Sequence, residues 1–566
     1  MGLQDMLSPP DKTAPKKGLW WAMGGLLFLY PFMGGLYTPW QWGAAMLCNG
    51  ILLILLWVST AQIRLPADGV SVACLTVMVV GALLTLLVGL DRDAAWMGLL
   101  RLGGWLLFAL CVLQWPLKQR QQLLALVPVS GVVSVMVSLL AGLASDWRPF
   151  FYEGDRLAGP FQYANTFALF LLLGLTMIPK TWPNVLQSGM SFLLLFGIVA
   201  TGSRSGLIIL VLLIVFALLR RNSARSIVLL LSLTALVVAL VLWNHGWVFA
   251  RFMEADSLST IWGRLLYNKD GIRLLLQRPL GVGYLGWFYL QRMIQTGVYN
   301  VRYVHNDWLQ MALDYGLPAT LALLTFVIRR LRKGALCPAA AICIALHCLL
   351  DPDLEFQCIM FYWILALSPC TDAPKRPLKA PFFPCLLIGA IMPLVLLRTV
   401  ADLSYHFGSV DSDLATRLSP GDTEYATQQM LQAETLPQAA ENARVILNRN
   451  AFVPVAWQIL AEDALSRGEY DDMATAQRQA VLLLKYDQTI YDEAMSRLQL
   501  AQRLGWEEDQ VLEQMIWLVN FCDATLAGTD PLGWAIRDTP EIGFPESTKL
   551  LLRMQQRAYD VSNRAQ

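Results

Sequence analysis

The sequence predicts an all-α fold: a polytopic membrane bundle of about thirteen transmembrane helices, followed by a soluble helical-repeat domain. Three observations predict it. Apolar residues make up 56% of the 566 positions and charged residues only 15%, and the mean hydropathy is +0.48. Many apolar runs approach the roughly 20 residues that a helix needs to cross a bilayer. From about residue 400 onward the pattern turns into that of a soluble protein. This composition places the chain among membrane proteins, and no nucleic acid is among its expected partners.

Residues 1–18 are polar, with Lys12, Lys16 and Lys17, and read as a cytoplasmic tail. No signal-peptidase-like site follows the first apolar run, so that run reads as a retained helix. The expected spans lie near 19–37, 42–60, 68–90, 95–115, 122–142, 164–180, 183–200, 205–220, 226–243, 312–328, 335–350, 356–369 and 381–399. The Gly and Pro within some of them are tolerated in membrane helices. Together, 19–400 form the expected membrane domain, 244–311 a large extracytoplasmic loop, and 401–566 an extracytoplasmic helical domain. Connections longer than about 12–15 residues are usually functional or disordered. This loop is rich in Arg, Tyr, Trp and Gly, which favours a site over disorder.

Basic residues set the orientation. With the N-terminus inside, the inner loops hold Arg64; Lys118 and Arg120; Lys180; Arg220, Arg221 and Arg225; Arg329, Arg330, Arg332 and Lys333; and Lys375, Arg376 and Lys379. The short outer loops hold Arg92, Arg148, Arg156 and Arg204. This asymmetry puts the long loop outside and, with thirteen spans, the C-terminal domain as well.

Residues 412–566 read as amphipathic helices. Trp457 and Tyr491 stand 34 residues apart, the tetratricopeptide period. About two such units are recognisable. Stacked helical pairs form concave surfaces, so an envelope protein is a possible partner; a helical cap on the membrane domain is the simpler alternative.

Nine of the ten Cys lie in or beside apolar runs, and their spacings match neither a disulfide framework nor a zinc site. Gly281-Val282-Gly283-Tyr284-Leu285-Gly286 matches G-x-G-x-x-G, but it has no βαβ context, so it reads as a tight turn. Asp351-Pro352-Asp353 could hold a divalent cation. Helix-boundary residues around Pro352 are the better reading, with the turn as part of the outer cavity wall.

His305 ends the long loop and is one of only four His. Asn306 or Asp307 could cap the helix that follows, but capping does not need His305. A neutral imidazole at the membrane surface can take a proton from a hydroxyl. Arg204 lies in Thr201-Gly202-Ser203-Arg204-Ser205-Gly206, and Arg264 follows Gly263, with Tyr267 and Arg273 further along the same expected helix. Arg at a membrane edge is a functional candidate, and its planar fork suits a diphosphate. Snorkelling to lipid phosphate would explain any one of these Arg, but less readily several on one face.

Four segments, taken together, resemble the O-antigen ligase and O-antigen polymerase superfamily, which includes bacterial O-oligosaccharyltransferases. Arg156-Leu157-Ala158-Gly159-Pro160-Phe161-Gln162-Tyr163-Ala164-Asn165 resembles its R-x-x-G-x-F-x-N-x-N element, with Tyr163 in place of the first Asn. Thr201–Gly206 resembles T-x-S-R-x-x. Gly263-Arg264 with Arg278-Pro279-Leu280-Gly281-Val282-Gly283 resembles G-R…P-L-x-G-x-G. His305-Asn306-Asp307-Trp308-Leu309-Gln310 with Gly316-Leu317-Pro318 resembles H-N-x-x-L-Q…G-L-x-G, with Pro318-Ala319 departing at the end. The match covers about 150–370.

The resemblance implies a GT-C-like glycosyltransferase of the bacterial cytoplasmic membrane. Such an enzyme takes a glycan from an undecaprenyl-diphosphate carrier and inverts the anomeric centre, with no metal or cofactor. It implies that His305 and Arg264 are catalytic, His305 orienting or deprotonating the acceptor hydroxyl. Arg204 and Arg264 would hold the diphosphate. Arg156, Arg273, Asn306, Asp307, Asn165 and Tyr267 complete the expected substrate site. The acceptor stays open: a lipid core for a ligase, a growing glycan for a polymerase, or a protein for an oligosaccharyltransferase. A polysaccharide or lipid transporter is the rival class, but it would more typically show internal repeats and helices broken at mid-membrane.

Overall fold

The computed structural model describes residues 17–66, 68–220, 256–372, 375–379, 382–407 and 412–565. The tail up to residue 16, Arg221, Arg225, the expected span 226–243 and the start of the long loop through 255 lie outside the described residues. The fold is helical throughout. The strands among the described residues form two small antiparallel ribbons.

Among the described residues, five helices are long and apolar enough to cross a membrane: Pro39–Thr60, Gly69–Val88, Arg92–Gln114, Leu117–Ala141 and Ile388–Phe407. The fourth is two helices meeting at Ala125. Five expected spans are shorter apolar helices: Ala164–Met177, Asn184–Ala200, Arg204–Arg220, Pro338–His347 and Gln357–Leu367. The expected run 19–37 becomes the helix Lys17–Leu29 and two short 3₁₀ turns. The run 312–328 is divided at Gly316 between Asp307–Tyr315 and Leu317–Lys333. Pro318, next to the Ala319 that replaces the family's terminal Gly, sits in the first turn of the second helix, where its missing N–H costs no hydrogen bond.

Local chemistry sets the helix starts. Thr38 and Gln41 form a capping box ahead of Pro39–Thr60. Asp68 accepts from Ser71 N, and Asp91 accepts from Asp93 N and Ala94 N. In Gly69–Val88 the buried positions are Ser71, Cys74, Met78, Ala82 and Thr85, one face of the helix. The opposite face carries Val80, Leu83 and Leu87, with Leu87 79% exposed. An apolar outward face is what a lipid environment requires. The molecule is a multi-pass membrane protein.

The connections gather at two ends of the bundle. At one end Gln62–Pro66 pairs with Lys375–Lys379, setting Arg64 opposite Pro377. There Arg120 reaches Asp372 at 3.3 Å and Arg329 reaches Asp68 at 2.7 Å. These belong to the basic loops expected inside. At the other end stand the Tyr152–Leu157 hairpin, the Thr201–Gly206 turn, the segment from Asp256 to Asn306 and the turn after His347. The Ala164–Met177 helix, buried along nearly its whole length, lies between its neighbours at the centre.

Beyond Ser412 the helices alternate as antiparallel pairs, among them Pro454–Arg467 with Tyr470–Leu483 and Gln488–Arg503 with Glu508–Ala527. Tyr491 is fully buried in their core, while Trp457 packs at its edge. This unit rests on the long loop. Lys485 Nζ donates to Met293 O at 2.8 Å, Asp530 N donates to Thr296 O at 2.8 Å, and Asp530 also pairs with Lys269. One apolar cluster joins Leu266, Trp287 and Val304 of the loop to Ile536 of the C-terminal unit.

Candidate active site

Asp351 is the hub of the site. It is fully buried in the turn between Pro338–His347 and Gln357–Leu367. Its Oδ1 accepts from Arg264 at 2.8 Å, Tyr163 Oη at 2.9 Å and Asn165 Nδ2 at 2.9 Å. Its Oδ2 accepts from Ser205 Oγ at 3.0 Å. Burial works to raise this carboxyl. The charge of Arg264, followed by His347 and the Asn165 hydrogen bond, outweighs burial and holds it below the usual carboxylate range. One carboxylate thus ties together three of the four motif segments.

Arg264 comes from the helix Asp256–Gln277 and is 23% exposed. Its terminal nitrogen is committed to Asp351, while its Nε is buried without a hydrogen-bond partner. His305 stands beside it. Burial, and then the Arg264 charge, push its pKa down to about 4, with Asp351 acting in the opposite direction. The ring is therefore neutral near pH 7, and its Nδ1 is also buried without a partner. Tyr267, one turn beyond Arg264, places its ring 5.8 Å from the His305 ring.

The backbone around His305 is pinned from both sides. Gln310 Oε1 accepts from Val304 N at 2.9 Å. Asn306 is the helix N-cap, accepting from Leu309 N at 3.2 Å and donating to Asn268 Oδ1 at 2.9 Å. Asp307 staples this segment to the Asp351 turn: its N donates to Cys348 O at 2.7 Å, and its carboxylate accepts from Leu354 N at 2.9 Å. Trp308 Nε1 donates to Ala345 O at 3.0 Å. The glycines upstream are structural. Gly281 and Gly283 have φ of +88° and +85°, and a Cβ on Gly281 would lie 2.8 Å from Gly316 N. Val282 N then donates to Leu313 O at 2.6 Å, holding the segment against the Asp307–Tyr315 helix.

Arg156 is a clamp within the site. It donates to Thr201 O at 2.9 Å, Glu153 at 3.2 Å and Asn165 Oδ1 at 2.6 Å. It fixes Asn165, which in turn fixes Asp351. Tyr163, the departure from the family pattern, keeps a donor on Asp351 through its hydroxyl. Arg204 opens its helix, half-buried between Ser203 and Ser205. The structure does not bring Arg273 to the hub. It pairs with Asp270 at 3.6 Å and is 53% exposed. Nine residues along a helix also put it roughly 14 Å from Arg264.

Several residues were not legible as site components. The Asp351 turn reads from sequence as cavity wall, whereas Asp351 is the centre. Behind it, Ser205 Oγ lies 3.0 Å from His347 Nε2, and His347 Nδ1 lies 2.5 Å from Asp353, which also accepts from Thr166 at 2.8 Å. Arg101, fully buried, supports the turn through Glu355 at 2.9 Å and Leu354 O at 2.6 Å. The signal was an acidic turn with His and Arg in apolar surroundings, where unpaired charge is too costly to stand alone. Asp307, Cys348 and Asp353 offer three ligand atoms within 4.8 Å of one another. Both carboxylates are already engaged by Leu354 N, Thr166 and His347, which makes this trio a hydrogen-bonded knot.

No curated protein matches the chain. The sequence pattern of the O-antigen ligase family matches residues 189–324, a stretch that holds Arg204, Arg264 and His305. Three of the four motif segments fall within this match, so residues 189–324 are similar to the O-antigen ligase family.

Proposed function

We propose that this protein moves a glycan from an undecaprenyl-diphosphate carrier to an acceptor hydroxyl at the outer face of the bacterial cytoplasmic membrane, without a metal ion. The observation that carries this reading is the pair of unpartnered buried nitrogens, His305 Nδ1 and Arg264 Nε, beside Asp351. Buried polar atoms are nearly always paired, and these two suit the two ends of a glycosyl transfer. The neutral His305 accepts the acceptor proton as its oxygen forms the new bond to the anomeric carbon. The bond from that carbon to the diphosphate oxygen breaks, its electron pair stays on the diphosphate, and Arg264 with Arg204 stabilises the charge. Asp351 fixes the Arg264 fork, and Asn165 and Tyr163 fix Asp351. Arg156 acts at one remove, through Asn165.

The gathering of basic loops at the opposite end supports an outward-facing site. The C-terminal helical pairs pack on the same loop and lie on that face. The test supplies purified protein in nanodiscs with the lipid-linked glycan and candidate acceptors, and measures free undecaprenyl diphosphate and glycosylated acceptor. Carrier release that stops in His305→Ala and Arg264→Ala supports the proposal. Glycan movement across proteoliposomes without carrier release would make the protein a transporter.

A further inference from the structure

A cavity of about 250 Å³ lies where the outer helix ends meet the first helices of the C-terminal unit. Its wall includes Trp40, Tyr289, Tyr405, Asp402, Arg302 and Glu424. A second cavity of about 420 Å³ shares Tyr289, Arg302, Tyr405 and Glu424 with it, so the two form one groove running toward the helical pairs. The reaction site described above uses none of these residues.

We propose that this groove binds a neutral or amino-bearing saccharide segment and feeds it to His305. The inference rests on the glycosyl-transfer reading of the neighbouring site. Three features of the groove select that ligand class. Seven aromatic side chains line the first cavity, and ring faces pack well against the C–H faces of sugar rings. Five carboxylates stand there against two arginines, a net acidic wall that disfavours diphosphates and uronic acids. Asp93 and Asp422 are paired with Arg398 and Asp91 with Thr423 and Asn450, which leaves Glu424 and Asp402 as the acceptors for hydroxyl and amino groups. Asp402 has a side chain only 8% exposed, and its Oδ2 has no hydrogen-bond partner although it lies in the cavity wall. Its other oxygen is taken by Tyr425.

An aromatic path joins the groove to the reaction site. Tyr303 lines the cavity and stands two residues before His305. Tyr303 meets Tyr37 with centroids 6.4 Å apart, Tyr37 meets Phe356 at 4.9 Å, and Phe356 stacks on Tyr163 at 6.0 Å. Tyr163 touches Asp351. The groove and the reaction site thus share a continuous aromatic wall, which sets a sugar chain held in the groove close to the His305 segment.

The test measures binding of soluble probes to the full-length protein in nanodiscs. One arm uses the oligosaccharide released by mild acid from the cell's own lipid-linked glycan, a second uses the delipidated acceptor glycan, a third oligogalacturonate, and a fourth inorganic pyrophosphate. Tyr405→Ala and Glu424→Gln should each weaken at least one of the first two about tenfold and leave pyrophosphate affinity unchanged. Whichever of the two is weakened identifies the source of the saccharide. Two variants on different elements guard against misfolding, and unchanged pyrophosphate binding certifies the fold. Equal binding of both oligosaccharides by wild type and variants, or tight binding of oligogalacturonate, would each overturn the inference. If wild type transfers glycan yet binds neither oligosaccharide, the groove proposal fails and the transfer reading stands. If the groove variants lose saccharide binding while no transfer is found, the groove proposal stands and the transfer reading fails.

Discussion

Arg264 and Asp351, 87 residues apart in the chain, share a 2.8 Å hydrogen bond at the outer end of the bundle. That bond leaves the Arg264 Nε aimed elsewhere. Removing one preorganised donor from a developing anion costs about 10²–10³ in rate. Arg264→Ala should therefore lose about that much transfer while remaining in the membrane. Arg264→Lys should recover little, because an ammonium cannot serve Asp351 and substrate with one planar fork. Single-turnover carrier release checks both.

The His305 ring has a pKa pushed down to about 4 from its ordinary 6.5, by burial and then by Arg264. A depressed pKa means that the neutral ring's contribution to stability is complete above pH 6.5 and is lost as pH falls through about 4. The acid limb of the transfer rate should accordingly fall near pH 4 and not near 6.5. His305→Gln should give a low rate without that limb. A wild-type limb centred at 6.5 would remove His305 as the buried neutral base.

Tyr163 is the site's visible departure from its family. Tyr163→Phe removes one of four donors to Asp351 and should cost about 0.5–1.5 kcal/mol of stability. Tyr163→Asn restores a donor of the family's type and should recover transfer more than Phe does. Thermal unfolding beside transfer rate separates the two effects.

Chelation should leave transfer unchanged. The Asp307, Cys348 and Asp353 knot is closed by hydrogen bonds, and the diphosphate charge falls to arginines. A rate that collapses in EDTA and returns with one divalent cation would contradict the metal-free mechanism.

Gly281→Ala should destabilise by about 1–3 kcal/mol, since its φ of +88° and the 2.8 Å approach to Gly316 N both exclude a Cβ. Denaturation of the detergent-solubilised variant measures this.

The bundle was legible because apolar runs report burial in lipid directly, and the loop's importance because long polar connections are unusual in such a chain. Arg204, Arg264 and His305 stand out in the sequence because their residue types contradict their surroundings. Asp351 does not stand out in the sequence as the hub, since an acid beside proline reads equally well as a helix boundary. The packing of Pro338–His347 against Ala164–Met177 and Arg204–Arg220 sets the turn that follows it against Tyr163, Asn165 and Ser205. Arg273 has the same residue type, but two and a half helical turns carry it away from Arg264.

The change in composition near residue 400 is no seam in the folded molecule. Ile536 shares an apolar cluster with Val304, the residue before His305. A cut made between membrane and soluble segments would therefore open the floor of the reaction site. The C-terminal helices are packed into the same core as the loop that bears His305.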